Sequence, residues 1–166
     1  MNDALYELIV ARKPRPYDLI VRILVIFLII AVAVGGMPFI GMSAFLAAVL
    51  IAVLAYYFIF PRLNVEYEYA LLNHDMQIDM IYNRAKRKSL MNIDIQAAEI
   101  IAPRQSPRLK SFHPDKVYDY SSGNPSAKVF AIHMPLDQKN VCIYIEPDSK
   151  MIDHMKQWMG SKMYLD

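Results

Sequence analysis

Hydrophobic and polar residues are distributed very unevenly along this chain. From Ile23 to Phe60 no charged residue occurs, whereas from Asn64 onward polar and apolar positions alternate at short period. A bilayer-crossing helix needs about 20 predominantly apolar residues. Leu19 to Gly36 supplies one such stretch, with the Arg22 guanidinium expected to snorkel back toward the headgroups, and Gly41 to Phe60 supplies a second. Between them "GGMPFIG" carries glycines free in φ and a proline without an N–H, the residues that end a helix. The pattern therefore predicts an α-helical transmembrane hairpin over residues 17–61. A buried soluble helix pair would need an apolar shell on every side, and the remaining hundred or so residues are too polar to provide one. "AVA" at Ala31–Ala33 resembles a signal-peptidase site, but the chain turns hydrophobic again almost at once, which disfavours cleavage.

The flanking segments read differently. "MNDALYELIVARK" predicts a juxtamembrane helix within residues 1–16, capped by Asn2 or Asp3 with Leu5, Leu8 and Ile9 on one face, ended by Pro14 and Pro16. In "NVEYEYALL", Val65, Tyr67, Tyr69 and Leu71 face one way and Glu66 and Glu68 the other, a half-buried strand. Met76, Ile78, Met80 and Tyr82 repeat the alternation after the "NHD" turn. A third strand follows the basic turn, over Ser89–Ile93. "DIQAAEIIAP" predicts a helical turn and a short strand, "KVYDYSS" another strand, and "KVFAIHMP" with "NVCIYIE" a late hairpin. The chain closes with a helix capped by Asp148 or Ser149, its apolar face built from Met151, Ile152, Met155 and Trp158 or Met159. Residues 62–166 thus predict a mainly β module with a C-terminal helix, expected to fold by itself.

Charge sets orientation. Arg12, Lys13, Arg15 and Arg22 precede the first span, Arg62 follows the second, and the connecting turn has none, so both termini are expected on the cytoplasmic side of a cell membrane. Tyr56, Tyr57 and Phe58 would mark the inner interface. The formal charge of +2 argues against a nucleic-acid partner, and a single cysteine, Cys142, excludes an intrachain disulfide. Ser43/Ala47 and Ala44/Ala48/Ala52 would let a second helix approach closely.

Candidate chemistry is sparse. "SFHPDK" contains the His-Pro-Asp tripeptide of J-domain co-chaperones, but Pro103 and Pro107 interrupt the helix that should precede it and "VYDYSSGNP" replaces the one that should follow. His74, Asp75 and Asp79 could gather on a hairpin, although a polar turn explains them as well. His113, His133 and His154 are scattered, and Cys142 has no base beside it in sequence. Neither a phosphate loop nor a nucleophile elbow is present. No catalytic residue, metal or cofactor is therefore expected. The candidate functional element is the basic turn Arg84, Lys86, Arg87 and Lys88, which could face anionic lipid unless Glu66 and Glu68 neutralise it.

Six or seven antiparallel strands closed by one amphipathic helix is the element order of a pleckstrin-homology-like (PH-like) barrel, though the same elements fit another small antiparallel barrel or an α+β sheet. Behind a two-helix hairpin the arrangement resembles bacterial PH-like membrane proteins. The segments "VEYEY", "IDMIYNRAKRK", "DYSSGNPSAK" and "IEPDSKM" are similar to a domain-of-unknown-function family of small bacterial two-span proteins. The resemblance implies an architecture and brings no catalytic residues. The expected function is non-enzymatic: a membrane-anchored module that binds a protein partner or lipid headgroups. The alternative is a small accessory subunit of a transport or envelope complex, and a second copy of the chain is a further partner to consider.

Overall fold

The computed structural model describes residues 5–166, which divide into two compact units. Residues 13–65 and 82–86 form a helical unit, and residues 5–12, 66–81 and 87–166 form a β-rich module.

Two helices dominate the helical unit, Pro16–Gly35 and Met42–Leu63, both long and apolar enough to cross a membrane. Pro16 occupies the first helical position, where its missing N–H costs nothing. Just before it the Arg15 N–H donates to the Asp18 carboxylate at 2.8 Å. The break between the helices is a short helical turn, Met37–Ile40, closed by Gly41 at φ +58°. Gly36 permits close approach of the two helices: a Cβ there would lie 2.9 Å from Ala44 Cβ and 2.6 Å from the Val32 carbonyl oxygen. Ala44, Ala48 and Ala55 are buried, so the stripe of small residues closes the hairpin on itself. Each long helix also contains a widened π segment, Ala31–Gly35 in the first and Ala55–Ile59 in the second.

The module contains two four-stranded sheets. In the first, β1 (Leu5–Ala11), β2 (Val65–Leu72), β3 (Asp75–Tyr82) and β4 (Lys86–Asp94) lie in chain order. In the second, β5 (Ile100–Pro103), β6 (Lys116–Asp119), β7 (Phe130–Leu136) and β8 (Lys139–Ile145) take the order β5-β7-β8-β6. The predicted helical turn is present at Ile95–Ala97, and the C-terminal helix spans Ser149–Met159, its Met151 N–H bonded to the capping Asp148 carboxylate at 2.9 Å. Met151, Met155 and Met159 supply its buried face, and Ile78, Ile132, Ile143 and Ile145 are fully buried in the sheets. Tyr69, also buried, donates its hydroxyl to the Tyr120 carbonyl, and burial pushes that hydroxyl well above the ordinary tyrosine range.

Three expectations change. The segment expected to be a juxtamembrane helix is the strand β1, paired antiparallel to β2 from Leu5↔Leu72 to Ala11↔Glu66. The proposed caps Asn2 and Asp3 lie outside the described residues. Leu5, Leu8 and Ile9 fit a helical face, but Tyr6, Leu8 and Val10 also alternate, and β1 pairs with β2 over seven residues, whereas a helix this short is marginal by itself. The module therefore begins before the helices, which are inserted between its first two strands, and residues 62–166 alone lack one edge of a sheet. Finally, β6 runs parallel to β8, from Lys116↔Val141 to Asp119↔Tyr144, so the strands are not all antiparallel.

Candidate functional site

The basic turn lies at the β3–β4 hairpin, where Asn83 and Arg84 adopt φ +48° and +56° and the Ala85 N–H donates to the Tyr82 carbonyl at 3.0 Å. Positive φ at both central residues is the type I′ geometry that suits the twist of paired strands, and Asn is among the residues that reach it most readily. The Asn83 N–H donates to the Asn64 carbonyl at 2.9 Å, beside the end of the second long helix. Asn64 Oδ1 in turn accepts from Arg22 Nη2 at 2.6 Å. Arg22, expected to reach for headgroups, is thus held by a protein amide.

The four cations of the predicted patch go to two places. Arg84 and Lys86 belong to the helical unit, while Arg87 and Lys88 belong to the module. Arg87 Nη2 lies 2.7 Å from Glu68 Oε2 and 2.9 Å from Oε1, and its Nε is 3.8 Å from Asp79 Oδ2. The Glu68 and Asp79 side chains are only 6% and 5% exposed, so Arg87 serves as counter-charge to two buried carboxylates. Gln77 Nε2 adds bonds of 3.0 and 3.1 Å to the two Asp79 oxygens. Of the two glutamates weighed as neutralisers, Glu68 pairs with Arg87.

The helical unit gathers a different set of cations. Lys13 and Arg15 lead into its first helix, Arg22 follows, Arg62 ends its second helix, and the hairpin tip adds Arg84 and Lys86. Asp18 is the one carboxylate in that unit, and it is buried, so six cations and one anion leave a net charge of +5. Sequence reading named the tip cations and those beside the helices but did not join them, because the bond between Asn83 and Asn64 has no local signature.

The other candidates resolve as parts of the scaffold. His74 Nδ1 is 3.1 Å from Asp94 Oδ1 and 3.7 Å from Asp75 Oδ1, with its ring edge-on to Trp158, while Asp79 is engaged by Arg87 instead. The trio His74, Asp75 and Asp79 therefore does not assemble, and among the described residues no group of three or more His, Cys, Asp or Glu could hold a metal. In the His-Pro-Asp tripeptide, Asp115 donates its N–H to the Asn140 carbonyl at 2.8 Å and accepts the Asn140 N–H at 2.9 Å, clamping a loop onto β8. Cys142 is buried and its thiol is pushed up by desolvation, the reverse of nucleophile activation. His133 is buried against Phe112, and desolvation lowers its pKa, against a smaller upward pull from Glu99. A cleft of about 630 Å³ opens between the Asn124–Lys128 loop, the C-terminal helix and Leu165, with Arg104 and Lys128 offset by Asp153 and Asp166.

The family model of the bacterial PH-like domain (DUF6106) matches residues 2–165. The chain belongs to this family. The match takes in β1, both long helices and both sheets, so it covers the helical unit and the β-rich module alike. No curated protein and no solved structure matches the chain.

Proposed function

We propose that the chain is an integral membrane protein whose helical hairpin anchors a PH-like module on the cytoplasmic side, where the module binds a protein partner or lipid headgroups without catalysing a reaction. The observation that carries this reading is the exposure of the two long helices: of an apolar 18-residue window in each, only 6% in the first and 17% in the second is buried. Leu19, Ile23, Leu24, Phe27, Leu46, Leu50 and their neighbours form an exposed apolar shaft far larger than a water-soluble monomer tolerates. Hydrocarbon is the solvent that fits it, since every helical backbone group is bonded internally. Cations at the Lys13–Arg22 and Arg62 ends and none in the intervening turn favour cytoplasmic termini.

The accessory-subunit alternative draws less support. Ala44 and Ala48 are consumed inside the hairpin, and Ser43 turns its hydroxyl back onto the Ile40 carbonyl. The test is topological. Met37→Cys should react with an impermeant thiol reagent on intact cells while buried Cys142 stays silent, and alkaline washing should leave the protein in the membrane pellet. Release by alkali would overturn the anchor, and an unreactive Met37→Cys that becomes labelled only after lysis would invert the orientation.

A further inference from the structure

The charge of the helical unit is confined to one end. Lys13 and Arg15 enter the first helix where Arg62 leaves the second, and the Arg22–Asn64 bond of 2.6 Å fastens those ends together. The Asn83–Asn64 bond of 2.9 Å fastens the hairpin tip to the same place, bringing in Arg84 and Lys86. Lys13, Arg15, Arg62 and Lys86 are all exposed, whereas Asp18 is buried and accepts the Arg15 N–H, so it offers little neutralisation at the surface. The opposite end of the hairpin carries no charge. Immediately along the shaft from the cations, Tyr17, Leu19 and Ile20 on one helix and Tyr56, Tyr57 and Phe58 on the other are exposed apolar or aromatic side chains.

A ring of cations above an apolar shaft is complementary to an amphiphile with an anionic head and hydrocarbon tails. A nucleic acid or an acidic peptide would answer the cations and leave the shaft bare. We propose that this end of the helical unit is a binding site for anionic phospholipid, with Lys13, Arg15, Arg62 and Lys86 contacting the headgroup phosphate and the Tyr82–Lys86 tip serving as its lipid-facing element. The proposal rests on the membrane reading above and adds to it a lipid class and a set of residues. It also divides the basic turn: Arg87, committed to Glu68 and Asp79, takes no part.

The full chain, purified in nonionic detergent and stripped of lipid, should retain phosphatidylglycerol in preference to phosphatidylcholine when bound lipids are counted by native mass spectrometry. Retention should weaken as salt screens the cations. A cation near anionic lipid contributes about fivefold in affinity. Replacing Lys13, Arg15, Arg62 and Lys86 together with Gln should therefore cost about a hundredfold or more. A charge-matched control with Lys128, Lys139, Lys150 and Lys156 replaced by Gln should bind as the parent does. Far-ultraviolet circular dichroism matching the parent would show that the first variant is folded. Loss of the preference in the control to the same degree, no preference in the parent, or displacement of the lipid by inorganic phosphate would each overturn the proposal. Failure of the membrane reading looks different: the chain would then stay in solution without detergent.

Discussion

Arg87→Ala should expose the most consequential electrostatic dependence in the module. In the native protein its guanidinium lies 2.7 Å from Glu68 and 3.8 Å from Asp79, and those carboxylates have 6% and 5% of their side-chain surface in water. Removing one partner of a fully buried pair costs about 3–5 kcal/mol, because the other charge is stranded. Arg87 itself is 58% exposed, so water already screens one side of the interaction and can enter after truncation. The loss should then be about 2–3 kcal/mol, at or just below the lower end of that range. For a module of this size that lowers Tm by about 10 °C. Trp158, the only tryptophan, sits against His74 within the module, so its fluorescence during urea or thermal unfolding of the detergent-solubilised chain reports this unit. Adding Glu68→Gln should restore about half of the loss, because it removes one of the two stranded charges. Lys88→Ala, on the same strand, should change stability by less than about 0.5 kcal/mol. An Arg87→Ala protein as stable as the parent, or one that Glu68→Gln does not rescue, would refute the assignment of Arg87 as an internal counter-charge.

Two further outcomes test the interrupted module and its buried histidine. Deleting residues 13–64 and joining Arg12 to Val65 through Asn-Gly continues the Ala11↔Glu66 register into a type I′ turn, so the product should be soluble and unfold cooperatively; a fragment of residues 64–166, with the β2 edge open, should aggregate or unfold broadly in the same light-scattering and fluorescence assays. Because desolvation lowers the His133 pKa, the unfolded chain binds a proton more readily, and this residue's contribution is complete above about pH 6.5 and is lost as pH falls toward the folded value. His133→Leu should flatten the decline of stability with acidification, and an unchanged slope in urea titrations at successive pH values would remove His133 as its source.

Much of the fold was legible because local patterns and tertiary demands agree. Tyr67, Tyr69 and Leu71 alternate toward a core, Asp148 caps the final helix, and Met151, Met155 and Met159 return every fourth residue to its buried face. The long helices announce themselves by length alone. β1 is ambiguous in sequence because Leu5, Leu8 and Ile9 satisfy a helical period while Tyr6, Leu8 and Val10 satisfy a strand period, and the deciding partner lies beyond both helices. β3 departs from simple alternation: Asp79 and Ile81 are buried as well as Met76 and Ile78, and Asp79 has Arg87 as its distant counter-charge. At the candidate site, "NRAKRK" gives the positions of the cations but not their partners. Which of them face inward depends on Glu68, nineteen positions away, and which join the helices depends on one backbone bond to Asn64.

Placing both long helices between β1 and β2 also constrains how the protein is made. β1 leaves the ribosome first and cannot pair until roughly fifty residues more have emerged. Closing a flexible loop of that length would cost about 3.5 kcal/mol in chain entropy. If the hairpin is inserted in a bilayer, as proposed, it would return the chain to the surface it left and remove most of that cost before the sheet begins to zip. Under that proposal, completion of the module would report successful insertion: a chain whose helices stayed outside the membrane would be left with an unpaired β1 and an open β2 edge.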